Sequence, residues 1–401
     1  METRRTLRLV AALLLAGTAL AGCRNSANDN GSGDDLYFAV IGTFQAPGTD
    51  YRDAQAAVQA KVDEVNAAGG VHGKKIKVSF CDDQHDPNKA TTCARHAVSE
   101  HALAALLPSS ASGFGTQALP VLEAAKIPAI GEAATVKADW TNSIAYPLDP
   151  GGPAQYAGVA LVLKNAGCTE VGTIQLPVPA GEASANNLAK AVKALGGRVA
   201  KNIVVGMSET SYAPQVSQLA SAGAKCIVPI ILPTEQPKFL TAVHQSGHDF
   251  LIGGVTAAFN QQLLTSLGKA SDGILLAGPA YLPTDTSIPA VKDMLDAMAK
   301  YTPKTKATDT YATWGWGSST LLFDSILPKI SGAVTSAKII DALNSAKDLD
   351  AGTYAPYTFS DPPPNPAFPR LMSTKVITWV VKNAVPVANP GFTDVSDVLS
   401  K

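Results

Sequence analysis

The hydrophobic pattern of the stretch Leu103–Thr135 predicts two parallel strands joined by a helix. Leu103–Leu107 is a short apolar run bounded by Pro108, which is too short for a stable helix and indicates a buried strand. A helical pattern follows at Thr116–Ala125, and a second apolar run, Ile127–Ile130, indicates another strand. Parallel strands end on the same side of a sheet, and in open α/β sheets small ligands bind on that side.

The same alternation of short apolar runs and helical patterns continues on both sides of this stretch. A first series of strands and helices extends from Leu36 to Pro147, and a second series extends from Pro153 to Gly278. Three helical patterns follow within residues 288–346, and a final strand pair is expected around Val376–Val387. The predicted fold class is therefore α/β, with two doubly wound parallel sheets that each have their own core.

Composition and motifs exclude several classes of function. The chain has 401 residues, 46% hydrophobic and 16% charged, with a formal net charge of −1, which gives no basic surface for nucleic acid. No G-x-S-x-G elbow, P-loop or G-x-G-x-x-G after the first strand is present, and the histidines do not cluster at metal-ligand spacing. We therefore expect a binding protein rather than an enzyme, with no cofactor and no metal.

The first residues have the features of an export signal. A cluster of arginines precedes the apolar run Leu9–Leu20, and Leu20–Cys23 resembles the bacterial lipobox. This resemblance predicts a signal peptide over residues 1–23, lipidation of Cys23 and a flexible polar tether over residues 24–35. The predicted location is extracytoplasmic, as a lipoprotein of the cell membrane, and the signal fits either the general or the twin-arginine export route.

Four further cysteines suit an oxidising compartment and two disulfides: Cys81, Cys93, Cys168 and Cys226. Three pairings are possible. Cys81 ends a predicted strand and Cys93 lies in the next helix, so a short local bridge is natural. Cys168 and Cys226 each precede a strand of the second series, which could place them side by side.

Several short segments together form a recognisable signature. The longest is the string E-V-N-A-A-G-G-V-H-G-K-K-I, Glu64–Ile76. The others are Asp50-Tyr51, the Asp82-Asp83 pair with Asp86-Pro87, the Ser109-Ser110 tip, and Ile127-Pro128 with Ala133–Thr135. With these segments the chain resembles the solute-binding proteins of branched-chain amino acid ABC transporters. The resemblance covers almost all of the chain after the predicted tether and implies the type I periplasmic-binding-protein fold, like that of the Leu/Ile/Val-binding proteins.

The resemblance also implies an architecture and partners. One lobe would hold residues 36–148 and 282–350, and the other residues 149–278 and 351–401, joined by a hinge of three crossings. A small solute would bind between the lobes and close them, and the closed monomer would be presented to the membrane permease of an ABC importer. A ligand sensor of the same fold that signals to a membrane partner is the alternative.

Carried over from the family, the ligand's carboxylate and amino groups would be held by Ser110, Ala133 and Thr135, with Tyr51 at the cleft edge. Hydroxyls and backbone N–H groups at strand ends suit a buried carboxylate. The alternative is that these residues only cap a helix and fill a turn. The candidate ligand-binding set is completed by neighbouring or matching positions: Ser109, Ser112, Thr256 and Tyr281.

The second half departs from the family pattern. Relatives that bind amino acids carry an acid after a strand tip, but Gly253–Phe259 contains none, and Pro179–Glu182 replaces an aromatic position. A buried ammonium with no acceptor costs several kcal/mol. The sequence therefore predicts a small, rather apolar solute, such as an aliphatic or aromatic acid or an amide, unless Glu132 supplies the charge. Trp314 and Trp316 are expected to pack in the core rather than to stack on a ligand.

Overall fold

The computed structural model describes residues 35–46, 49–109 and 114–401. The predicted signal peptide, Cys23 and nearly all of the predicted tether therefore lie outside the described residues. Among the residues that are described, no helix is long and apolar enough to cross a membrane.

Five parallel strands form the first sheet. Their spatial order is Ile76–Asp82, Leu36–Gly42, Ala105–Ser109, Ala129–Ile130 and Ala145–Tyr146. Side chains alternate between its two faces: Phe38 and Val40 enter one core, whereas Ala39 and Ile41 enter the core on the other side. Because both faces are covered, these strands appear in the sequence as continuous apolar runs.

Eight helices accompany the first sheet in the described part of the chain: Arg52–Ala67, Pro87–Ser99, Phe114–Gln117, Leu119–Ala124, Lys137–Thr141, Pro289–Tyr301, Thr310–Thr320 and Ser336–Ser345. Asp86 caps the helix Pro87–Ser99, because its side chain accepts hydrogen bonds from the N–H groups of Asn88 and Lys89. A small antiparallel pair, Gln45–Ala46 with Thr49–Asp50, precedes the first helix.

The second sheet has eight strands. Seven lie in the spatial order Val385–Ala388, Lys375–Lys382, Leu275–Gly278, Leu251–Val255, Cys226–Ile230, Glu170–Gln175 and Arg198–Val204, and Thr393–Asp394 pairs with Lys375–Lys382. The strands that precede Lys375 are mutually parallel, and the later ones pair antiparallel. Its α-helices are Gly151–Asn165, Pro179–Ala194, Ala213–Ser221, Gln236–Gln245, Gln261–Leu267 and Ser396–Leu399.

The chain passes between the two sheets three times, after Tyr146, after Gly278 and between Ser345 and Lys375. In the third passage, Tyr354, Tyr357 and Phe359 still pack in the core of the first sheet. The predicted α/β class with two parallel-sheet cores is confirmed, and so is the predicted number of crossings.

Both predicted disulfides are present. Cys81 is bonded to Cys93, from the first sheet to the adjacent helix, and Cys168 is bonded to Cys226, beside the parallel strands of the second sheet. The sequence separations are 12 and 58 residues, so the second bond closes much the longer loop.

Candidate functional site

A cavity of about 300 Å³ lies between elements of the two halves. Its first wall comes from loops and helices of the first sheet, and its second wall comes from the helix Pro179–Ala194 and the end of the strand Leu251–Val255. The start of the helix Gly151–Asn165, directly after the first crossing, lies between them. The lining residues of the second wall are small or neutral: Ala180, Ala183, Ser184, Asn187, Val255 and Ala257.

The structure brings four of the predicted ligand-binding residues together at this cavity. Tyr51, Ser109, Ala133 and Thr135 all line it, although they come from three separate segments of the chain. They meet because the carboxyl ends of parallel strands share one edge of the sheet. The predicted residues Ser110 and Ser112 lie outside the described residues.

Two predicted residues do not line this cavity. Thr256 is fully buried and lines a separate, smaller cavity, although its neighbours Val255 and Ala257 both line the main one. The ring of Tyr281 packs against Phe392, with 5.1 Å between ring centroids. Thr256 and Tyr281 therefore lie outside the lining of the main cavity, unlike the other four candidates.

Ser109 is held at the end of its strand by the neighbouring strand. Its hydroxyl donates to the carbonyl oxygen of Thr43 at 3.0 Å, and its own carbonyl accepts from the Thr43 N–H at 2.8 Å. A Cβ atom on Gly42 would lie 2.5 Å from the Ser109 hydroxyl oxygen, so only glycine leaves room there. The backbone of the first strand therefore fixes the position of this hydroxyl.

The tip that carries Thr135 is fixed by Asp139, one helical turn further along the chain. The Oδ2 atom of Asp139 accepts from the N–H groups of Thr135 and Val136, both at 2.8 Å. The carboxyl group is 3% exposed, and this burial raises its pKa to about 6 in spite of the two hydrogen bonds. Asp139 lies on the short helix Lys137–Thr141, which the sequence did not predict.

Aromatic side chains form much of the first wall. The rings of Tyr51 and Tyr311 stack with centroids 3.7 Å apart, and the Trp314 ring meets Tyr311 edge-on at 4.8 Å. Trp140 and Tyr156 also line the cavity. Such a wall suits a flat or aliphatic ligand body, which gains both area burial and ring contacts.

One polar group in this wall remains unpaired. The Nε1–H of Trp314 has no hydrogen-bond partner among the described residues, and the side chain is 3% exposed. An indole N–H is a donor only, and a buried donor without a partner costs about 1–3 kcal/mol. A ligand acceptor in the cavity would satisfy it. Trp316, in contrast, packs in the core, where Lys61 lies 3.9 Å from its ring centroid.

Asp149 supplies a carboxylate to the cavity. It is 2% exposed, and it accepts from the N–H of Gly151 at 2.7 Å and from Nε2 of Gln155 at 2.9 Å. Burial raises its pKa to about 7, so it changes charge near neutral pH. The sequence analysis missed Asp149 because it lies in the first crossing rather than after a strand of the second sheet. Glu132, the expected alternative, is fully buried and does not line the cavity.

The arrangement is suited to binding. Among the described residues that line the cavity, Asp149 is the one carboxylate and none is a lysine or arginine. No group of three or more His, Cys, Asp or Glu side chains that could hold a metal ion occurs within the described ranges. The lining therefore offers neutral donors, aromatic faces and one titratable acid to a small guest.

Comparisons with known proteins agree with this geometry. A family model described as periplasmic binding protein matches residues 36–367. The leucine-, isoleucine-, valine-, threonine- and alanine-binding protein of Pseudomonas aeruginosa is 24% identical over 304 residues, which cover 74% of this chain and 77% of that protein.

Solved structures share the fold. The fatty acid ABC transporter substrate-binding protein from Thermomonospora curvata superposes with a TM-score of 0.77 at 19% identity, covering 91% of this chain and 94% of that one. A solute-binding protein of an ABC transporter from Rhodopseudomonas palustris, in complex with 3,4-dihydroxybenzoic acid, superposes with a TM-score of 0.71 at 17% identity. The match covers 90% of this chain and 99% of that one. The chain belongs to the periplasmic binding protein family and has its type I fold.

Proposed function

We propose that this protein captures a small, mainly apolar solute with one polar end and delivers it to the permease of an ABC importer. The observation that carries the proposal is the cavity between the two halves, with its aromatic first wall, its small neutral second wall and a single carboxylate. We expect aliphatic or aromatic acids and amides to bind best, and amino-acid-like molecules to bind less tightly.

The size of the cavity supports a small guest. Its volume of about 300 Å³ lies at the lower end of ordinary ligand pockets, which span about 300–1,000 Å³. The second wall consists of alanine, serine, valine and asparagine side chains, which leave no deep extension. A solute of peptide or sugar-chain size does not fit such a space.

The polar groups suit a ligand that carries a hydrogen-bond acceptor, such as an acid or an amide. A ligand acceptor would pair with the Nε1–H of Trp314, for which the described residues provide no partner. Asp149 has a pKa of about 7 and already accepts hydrogen bonds from Gly151 and Gln155. When protonated it can donate to a ligand carboxylate, and when ionised it would attract an ammonium, so its charge decides between the two classes.

Two structural relatives bind apolar acids according to their names, one a fatty acid and the other 3,4-dihydroxybenzoic acid. The Pseudomonas relative is named for five amino acids. Both ligand classes are therefore accommodated by this fold, and the Gly253–Phe259 stretch of the present chain provides no acid for an ammonium. That difference favours the acids.

Hinge closure follows from the two-sided lining. A solute that touches Tyr311 on one wall and Ala183 or Asn187 on the other binds better when the halves are close together. Such differential affinity drives closure, and the closed form is what a permease would recognise.

Matched pairs of solutes test the proposal. Melting temperature and calorimetric affinity of the purified protein are measured with leucine against 4-methylpentanoate, and with phenylalanine against 3-phenylpropanoate and its amide. The members of each pair share a body and differ in the ammonium group. The deaminated acids and the amide are expected to bind at least as tightly as the amino acids. Binding of the amino acids alone would contradict the proposed solute class, and absence of any binding would contradict capture of such solutes.

The membrane anchor is part of the same proposal. Lipidation of Cys23 would keep the protein at the outer face of the membrane, close to the permease. The expected result is that metabolic labelling with a fatty acid marks the wild-type protein in the membrane fraction. The variant Cys23→Ser should remain unlabelled and unprocessed, and labelling of that variant would contradict the anchor.

A further inference from the structure

A second cavity of about 110 Å³ lies where three segments of the chain meet beside Pro386 of the strand Val385–Ala388. The first segment, Thr256–Gln261, follows a strand of the second sheet. The second, Leu282–Thr284, belongs to the second crossing, and the third, Ala307–Thr310, begins a helix of the first sheet. This cavity is therefore shared by both halves of the molecule and by one of the segments that join them.

Five residues that line this cavity each carry a buried side-chain oxygen that lacks a hydrogen-bond partner within the described part of the chain. These oxygens are Thr256 Oγ1, Gln261 Oε1, Thr284 Oγ1, Asp309 Oδ1 and Thr310 Oγ1. Thr256 and Thr310 are each 1% exposed and Asp309 is 6% exposed. A buried polar atom left unpaired costs about 1–3 kcal/mol, so five around one space indicate a polar occupant.

The charge of the cavity is negative. Asp309 is the one carboxylate among the described lining residues, and no lysine, arginine or histidine is among them. Behind it, Asp53 accepts the N–H groups of Thr308 and Asp309 at 3.2 and 3.0 Å and adds its own negative charge. The ionised carboxylate thus lacks a basic partner in the described lining.

All five unpaired atoms are oxygens, and this donor set suits hard cations. Within the lining, the single carboxylate with neutral hydroxyl and amide oxygens matches one positive charge, and the carboxylate behind it, that of Asp53, is already held by two backbone N–H groups. The volume equals that of roughly four liquid water molecules, which is enough for an ion with one or two waters and too small for an amino acid.

We propose that this second cavity binds a monovalent cation of the alkali or ammonium class, coordinated by Asp309, Thr256 and Thr310 with Gln261 and Thr284. Because its walls belong to both halves, the bound cation holds them in the relative arrangement seen in this structure. The site is distinct from the main cavity, and the inference does not depend on which solute the protein carries.

Thermal unfolding of the full-length protein in sodium, potassium, ammonium or choline chloride at equal ionic strength tests the proposal. At least one of the first three salts is expected to raise the melting temperature saturably, by about 2 °C or more relative to choline. Asp309→Asn and Thr256→Val should abolish the cation dependence, whereas Thr256→Ser should retain it. Asp296→Asn, at an exposed carboxylate, is the matched control and should also retain it.

Crystals soaked in a thallium(I) salt give a direct readout. An anomalous peak between Asp309 and Thr256 is expected in the wild type and absent in Asp309→Asn. Identical melting temperatures in all four chlorides, or electron density for water alone in this cavity, would overturn the proposal. A larger stabilisation by calcium or magnesium than by any monovalent ion would also overturn it.

Discussion

The carboxylate of Asp139 accepts the backbone N–H of Thr135 at 2.8 Å and thereby fixes a residue of the candidate binding site. The same oxygen accepts from Val136, also at 2.8 Å. A Cβ atom on Gly115 would lie 1.8 Å from the other carboxylate oxygen, so the start of the helix Phe114–Gln117 is fitted closely around Asp139. This one side chain therefore links two segments that border the cavity end of the first sheet.

We expect Asp139→Ala to destabilise the protein by about 2 kcal/mol and to weaken solute binding about tenfold, because two backbone N–H groups lose a charged acceptor. Urea unfolding and calorimetric titration measure the two effects. The variant Asp139→Asn keeps an acceptor oxygen, so it should lose much less stability and much less solute affinity than Asp139→Ala. Equal losses in the two variants would show that the hydrogen bonds to Thr135 and Val136 do not matter.

Trp314→Phe should weaken solute binding about tenfold, since it keeps the aromatic wall and removes the unpaired N–H. Its stability should fall only by the packing that the smaller ring loses, because that N–H has no partner in the described residues. The matched control is Trp379→Phe, whose indole N–H donates to Asp285 at 3.1 and 3.2 Å in the core. That control should lose stability and keep its affinity, and the reverse pattern would exclude Trp314 from the site.

Asp149 makes solute binding depend on pH. Its pKa of about 7 means that the carboxyl is neutral at pH 6 and ionised at pH 8. A carboxylic acid ligand should therefore bind about tenfold more weakly at pH 8 than at pH 6, because the protonated fraction of Asp149 falls by about that factor, and an amine ligand should show the opposite trend. Calorimetric titration from pH 6 to pH 8 measures this. The variant Asp149→Asn should bind solute with an affinity that does not change between pH 6 and pH 8. A pH dependence that persists in this variant would contradict the role of Asp149.

The two disulfides should differ in their contribution to stability. In the chain-entropy description, a loop of 58 residues gives about 4 kcal/mol and a loop of 12 residues gives about 3 kcal/mol. Replacing Cys168 and Cys226 by alanine should therefore lower the free energy of unfolding more than replacing Cys81 and Cys93. Urea unfolding of the two double variants measures both values, and a larger loss from the shorter loop would contradict this order.

The fold was largely predictable because its signals are local. Buried strands such as Leu36–Gly42 and Ala105–Ser109 appear as short apolar runs, and the Asp86 cap marks the start of its helix. The helix Lys137–Thr141 was missed because five residues carry no readable period. Trp140 of the cavity wall and the supporting Asp139 both lie on it, so that part of the site could not be anticipated.

The candidate site was predicted at strand ends and where the family resemblance marked it. Ser109, Ala133 and Thr135 follow parallel strands that end at one edge, whereas Tyr51 came from the resemblance. Asp149 lies in a crossing, and Tyr311 reaches Tyr51 from a helix about 260 residues further along the chain, a contact that no local pattern encodes. The expectation that Trp314 packs in the core was incomplete, because this side chain packs there and also lines the cavity.

A crystal structure of the protein with the solute that raises its melting temperature most is the most direct test of the central claim. We expect electron density for the solute between the two halves, with an acceptor atom of the solute against Trp314 Nε1 and its apolar part against Tyr311. Density for the solute at another place, with the main cavity left to water, would contradict it.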